Sequence, residues 1–99
     1  MSKHRASDLR LYGKRKAIWL KWHPVCDGCG RRPGPFGHDV HHIRGRIGRL
    51  LVDWRYWATV CRSCHFEIHG TPDKAPPWLK CAPGEWNKVD STPIPEECP

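Results

Sequence analysis

The sequence has no apolar run long enough for a signal peptide or a membrane span. Their lack leads to the expectation of a reducing cytoplasm, where paired Cys-x-x-Cys motifs bind metal more often than they form disulfides. Apolar residues are also scarce, at 38%, while ten of the 99 residues are proline. So small and proline-rich a chain buries little surface, and a metal or disulfide staple is expected to hold it. Acidic residues are few where basic ones are many. Residues 1–70 carry fourteen Lys/Arg against five Asp/Glu, a formal +9. Residues 71–99 carry three Lys against five Asp/Glu, a formal −2, which brings the whole to +7. A basic body with no acidic counterweight suits a polyanionic partner, most simply nucleic acid.

What the chain does have is cysteine and histidine in register. Cys26-Asp27-Gly28-Cys29 and Cys61-Arg62-Ser63-Cys64 are two Cys-x-x-Cys knuckles. Zinc takes four soft or borderline ligands in a tetrahedron, and these four cysteines supply them. The segment between Cys29 and Cys61 then becomes a closed, pinned loop. Structural zinc contributes roughly 10–16 kcal/mol in finger peptides, enough to hold a core of this size.

Histidines are threaded among the cysteines. His65 follows Cys64 directly and His69 comes four residues later, so on a helix the two share one face and can grip one ion. Cys64 and His65, as neighbours, must point different ways. His41 and His42 sit in the strand candidate Val40–Ile43, where strand periodicity turns them to opposite sides. One can be a ligand while the other addresses a substrate.

Around these motifs the chain divides into two parts. Residues 1–70 read as one domain, with a loose basic arm over Met1–Ser7 and a helix capped by Ser7 or Asp8 that runs to about Trp22. Leu11, Ile18 and Trp22 form its apolar stripe, with Tyr12 and Trp19 beside it. His23-Pro24 stops it. Arg31–Gly37 and Arg44–Arg49 read as loops, Trp57–Val60 as a second short strand, and Arg62 to about His69 as a helix ended by Gly70 and Pro72. Residues 71–99 hold seven of the ten prolines and read as an irregular tail, draped over the domain through Trp78 and Trp86. Trp54, Trp57, Trp78 and Trp86 are assigned to gap-filling rather than base stacking, and His4, His23 and His38 to the surface. Cys81 and Cys98 either pair with each other or stay free.

The pattern over roughly residues 10–70 resembles the HNH nuclease family. The carrying residues are Asp39-Val40-His41-His42-Ile43, the later Cys61-Arg62-Ser63-Cys64-His65 and the closing His69. Leu11-Tyr12-Gly13-Lys14-Arg15 and His23-Pro24-Val25-Cys26-Asp27-Gly28-Cys29 look like the lead-in of small phage and bacterial members. The resemblance implies an α+β class and a small zinc-stabilised ββα-metal domain, here with an N-terminal helix and a proline-rich tail. It implies a metal-dependent DNA endonuclease that leaves 5′-phosphate and 3′-hydroxyl ends. His42 would be the general base, His41 and His65 metal ligands, and His69 a further ligand as in the His-rich members. The family's middle Asn, which braces the loop carrying the base, is here Tyr56, so the bracing passes to the Tyr56 hydroxyl or to Asp53, or activity is reduced.

The chemistry is coherent on its own terms. A neutral His can take a proton from water at cellular pH, and a divalent ion can stabilise the charge that develops on the phosphate. Three imidazoles favour manganese, nickel, cobalt or zinc over magnesium. Arg44, Arg46 and Arg49 are expected to clamp phosphates, and Lys14, Lys16 and Lys21 to follow the DNA backbone. The expected partner is mainly double-stranded DNA, nicked by a monomer or cut by a dimer, in a bacterial host cell and of phage or mobile-element origin. The rivals are a zinc module that binds nucleic acid without cutting it and a nuclease subunit that needs a partner.

Overall fold

A computed structural model describes residues 3–99, with side chains from Ala6 onward. Over the described residues the fold is α+β, with two helices and one two-stranded sheet. Helix α1 runs Lys3–Trp22. It begins ahead of Ser7 and Asp8 because nothing between Lys3 and Ala6 breaks a helix, so the expected arm is helical from Lys3 onward. Met1 and Ser2 of that arm lie outside the described residues. At its far end His23 N–H donates to Trp19 O at 2.7 Å, and Pro24 then stops the ladder.

Strands β1 (Asp39–His42) and β2 (Trp57–Val60) pair antiparallel, with Asp39 opposite Val60, Val40 opposite Thr59, His41 opposite Ala58 and His42 opposite Trp57. Helix α2 (Arg62–Gly70) follows β2 almost at once. The first knuckle docks on the outer edge of β2. Asp27 N–H donates to Thr59 O at 2.7 Å, and Thr59 N–H donates to the Asp27 carboxylate at 2.7 Å. These two bonds satisfy the backbone groups that a two-stranded sheet leaves unpaired on that side.

The sheet is packed on both faces. On one, Val40 and Trp57 meet Trp19 and Trp54, and Trp19 Nε1–H donates to Thr59 Oγ1 at 2.9 Å. On the other, Ala58 and Val60 meet Cys26, Cys61, Cys64 and Leu79. The buried face of α1 differs from the expected stripe. Trp19 is buried at 6% exposure, whereas Ile18 and Trp22 are 42% and 68% exposed. Tyr12, Arg15 and Trp19 carry the contact instead, Tyr12 edge-on to Trp57 and Arg15 stacked over Trp54 with Nη1 donating to Val52 O at 2.7 Å. The aromatic rings bury more area than the aliphatic row, and the Arg15 stem covers apolar surface while its head is satisfied by a carbonyl.

After α2 the chain has only short 3-10 turns, at Pro72–Lys74 and Pro77–Leu79. This segment is anchored by Ala75 and Leu79, not by the two tryptophans named from sequence. Leu79 is wholly buried, while Trp78 and Trp86 are each 62% exposed. The turn that opens at Pro77 sends Leu79 inward and leaves Trp78 outside, its Nε1–H donating to Asp27 O. Further on, Trp54 Nε1–H donates to Pro95 O at 2.8 Å. Asp90 accepts from the Tyr56 hydroxyl and pairs with Arg55 at 3.3 Å. Cys81 and Cys98 are free thiols. No helix of the described residues is long and apolar enough to cross a membrane.

The register of α1 is open to direct test. Trp19→Ala is expected to lower the unfolding free energy by about 3–5 kcal/mol in urea titrations of the zinc-loaded protein. Ile18→Ala is expected to change it by less than about 0.5 kcal/mol. Equal losses at both positions would contradict the packing of the helix on its tryptophan side.

Candidate metal centre and histidine cleft

Cys26, Cys29, Cys61 and Cys64 converge so closely that one sulfur from each lies within 4.8 Å of the others, and the group could hold a metal such as zinc. Backbone N–H groups point at the sulfurs: Gly28 and Cys61 donate to Cys26 Sγ at 3.4 and 3.3 Å, and Cys64 to Cys61 Sγ at 3.5 Å. Burial pushes the Cys26 thiol up, but the N–H groups of Cys61, Cys29 and Gly28 and the Cys64 thiol outweigh it and bring it down to about 6. A thiolate is thereby favoured where a metal needs one. Burial raises the Cys64 thiol, and its sulfur neighbours raise it further. Gly28 is required here: a Cβ on it would stand 2.9 Å from Cys64 Sγ and 3.2 Å from a Leu79 methyl.

Cys61 is both a member of this cluster and the residue that caps α2, its sulfur accepting the Cys64 N–H. The cluster therefore sets the rotational phase of the helix. Cys64 turns to the sulfurs, and His65 and His69 turn to β1. There one nitrogen each from His41, His65 and His69 falls within 4.8 Å of the others. Two of the three rings are oriented by a second contact. His41 Nε2 lies 2.8 Å from Leu79 O, and because a carbonyl only accepts, Nε2 carries the proton and Nδ1 keeps its lone pair. His65 Nδ1 faces the Asp39 carboxylate at 3.3 Å, which leaves Nε2 for an ion. Burial lowers the His41 pKa, the Leu79 carbonyl working against it and His65 and His69 with it. The set thus has the donor atoms and the outer hydrogen bonds of an imidazole metal site.

His42 faces the other side of the sheet, as strand periodicity requires, with its ring against Tyr12 and Trp57. Its Nε2 lies 3.0 Å from Leu51 O, so Nδ1 is the basic nitrogen. Burial lowers its pKa, against the pull of the Leu51 carbonyl, to about 4, and Arg46 and the neighbouring histidines add to the fall. His42 is accordingly neutral at cellular pH. Although His41 and His42 point to opposite faces, both line one cleft of about 440 Å³ with His65, His69, Arg46 and Trp86. The cleft runs along the outer edge of β1, which pairs with β2 on one side alone. An unpaired edge is the one place where both faces of a strand can reach the same space.

The remaining residues singled out from sequence are scattered. Arg46 lines the cleft and stacks over Tyr12 at 5.3 Å. Arg44 pairs with Glu85 at 2.9 Å and lies over the Tyr56 ring at 4.0 Å. Arg49 donates to Thr92 O at 2.8 Å. Lys16 lies near Tyr12, at 6.0 Å from the ring, while Lys14 and Lys21 are exposed on the opposite side of α1 from Tyr12 and Trp19. The Tyr56 side chain is outside the cleft, with its hydroxyl on Asp90, while its carbonyl accepts from the N–H of Ile43, the residue after His42, at 2.8 Å. Asp53 is wholly buried and held by Arg55 at 2.7 Å. His23 is more than a surface group, stacking on Trp19 at 4.0 Å, while His38 stays at the surface beside Arg31 O. The side chain of His4 lies outside the described residues.

Sequence reasoning missed the carbonyls of Leu51 and Leu79, which carry no residue-type signal, and the role of Asp39. The last was readable, since Asp39 and His41 are two apart on a strand and share a face.

Cobalt(II) titration reports the sulfur cluster directly through thiolate-to-metal absorption. That absorption is expected for the intact chain, is lost in Cys61→Ser and is unchanged in His69→Ala. Chelation is expected to abolish the cooperative thermal transition. A chelated protein that melts as the metal-loaded one does would exclude a structural metal. Compared with protein-family models, curated proteins and solved structures, the chain matches none.

Proposed function

We propose that this chain is a metal-dependent DNA endonuclease of the HNH type, built on a ββα-metal domain in which β1, β2 and α2 carry the site. One observation bears most of the weight: a histidine with a fixed basic nitrogen and a cluster of three further imidazoles open onto a single cleft. The tethered Nε2 of His42 leaves Nδ1 to accept a proton from a water molecule that attacks the phosphorus. Because the ring is wedged between Tyr12, Trp57 and the Leu51 carbonyl, the base needs no reorganisation to act.

His41 through Nδ1, His65 through Nε2 and His69 would hold the divalent ion. When bound, the ion supplies positive charge for the developing phosphorane and for the 3′ leaving oxygen. Arg46, on the cleft wall, places its guanidinium for a phosphate oxygen. A neutral imidazole set suits manganese, nickel or zinc better than magnesium, which prefers oxygen ligands.

A non-catalytic zinc module that binds nucleic acid is the second reading. It is favoured by Tyr56, which stands where the family has its bracing Asn and turns its side chain away to Asp90.

Supercoiled plasmid separates the two. The wild type is expected to convert it to open circles with manganese or nickel at least as fast as with magnesium. His42→Ala is expected to slow the conversion by roughly 10²–10⁴. Binding without conversion in every metal would leave the binding module standing. Cleavage with magnesium alone would remove His69 from the ligand set.

A further inference from the structure

Three aromatic rings stand in solvent around the histidine cluster: Trp86 at 62% exposure, Phe66 at 78% and Phe36 at 95%. A domain short of apolar residues gains nothing in stability from rings left outside. Their placement is continuous. Trp86 and Arg46 line the cleft with His65 and His69. Phe66 and Arg62 line the adjoining groove with the same two histidines and Asp39. Arg62 is shared in turn with the groove that holds Phe36. The order along the surface is therefore ring, arginine, ring, histidines, then a further ring and arginine.

Trp86 is exposed yet fixed. Its neighbour Asn87 donates its N–H to Arg44 O at 2.8 Å, Lys88 N–H closes on Glu85 O at 3.0 Å, and Glu85 pairs with Arg44 at 2.9 Å. The close approach suits Gly45, whose φ of 95° favours glycine and where a Cβ would displace the Asn87 side chain. The loop that follows the base thus carries a glycine that permits the tryptophan-bearing turn to seat against it.

Alternating rings and arginines are the surface that an unpaired nucleic acid strand requires. Bases stack on the rings regardless of their identity, and guanidinium groups follow the phosphates. A duplex offers the phosphates but no free base faces, because its bases are already stacked on one another. We infer that the cleft takes an unpaired DNA strand, with bases stacked on Trp86 and Phe66 on either side of the phosphate that lies at the histidines. The inference rests on the nuclease reading for the identity of the site, and it departs from the duplex expected from sequence.

Binding tests it without any cleavage. The probe is fluorescein-labelled oligothymidylate, followed by anisotropy, with zinc-loaded His42→Ala protein and no other added metal. Trp86→Ala and Phe66→Ala, each in that background, are expected to weaken strand binding roughly 5- to 150-fold while a hairpin duplex changes by less than about twofold. Trp86→Phe is expected to retain most of the affinity, since a ring remains. The inference is overturned if Trp86→Ala has no effect, if duplex and strand lose affinity alike, or if Trp86→Phe is as weak as the alanine variant. Tighter binding of oligouridylate than of oligothymidylate would overturn the assignment to DNA. Cleavage of the same labelled strand by the wild type with manganese is scored separately, so ring-dependent binding without strand cleavage would sink the nuclease reading and leave the track, whereas strand cleavage without ring-dependent binding would do the reverse.

Discussion

Convergence of the Cys26, Cys29, Cys61 and Cys64 sulfurs brings the turn after α1 onto the first turn of α2, and the rest of the arrangement follows from that junction. Cys61 caps the helix with its sulfur, Cys64 turns inward, and helical geometry leaves His65 and His69 no direction but β1. Gly28 matters for the same reason, because any side chain there would push the knuckle off Cys64 and Leu79. The histidines are thus held by sulfur at one remove. A small error in the position of the cysteines becomes a rotation of the whole helix.

The sheet performs the opposite task of separation. Two strands are too few to bury both edges, and the chain uses each edge differently. The β2 edge is closed by Asp27, whose backbone and carboxylate both bond Thr59. The β1 edge stays without a partner strand, and the cleft lies along it. Neighbouring histidines that must face opposite ways can therefore serve one space, His42 from the α1 side and His41 from the α2 side. Their rings are oriented by carbonyls from distant segments, Leu51 and Leu79. Two main-chain oxygens settle which nitrogen of each ring is basic.

What was legible in the sequence was what depends on short-range spacing. The two Cys-x-x-Cys knuckles, the four-residue step from His65 to His69 and the alternation of His41 and His42 are local geometry, and the structure brings each group together as the spacing implies. Both strands and α2 were readable within a residue for the same reason. The inner face of α1 was not. Its row of Leu11, Ile18 and Trp22 is the more regular pattern, yet Tyr12, Arg15 and Trp19 are used, because burial there is decided by Trp57 on β2 and Trp54 in the 3-10 turn Trp54–Tyr56, which no local window contains. The basic loop shows partners that spacing could not. Arg44 and Arg49, expected at phosphates, are met by Glu85 and the Thr92 carbonyl, which lie far along the chain. The proline-rich segment was expected to dock through Trp78 and Trp86, but a proline-set turn exposed Trp78 and buried Leu79.

Leu79 belongs to two structures at once. Its side chain lies among the cysteine sulfurs and its carbonyl holds His41. During synthesis all four cysteines leave the ribosome before it does. The sulfur site can thus gather its ligands on a nascent chain whose histidine site still lacks its orienting carbonyl. Assembly then has a direction, with the cysteine cluster first and the histidine cluster after it, and the His41 ring lacks its tether until the segment that carries Leu79 folds back.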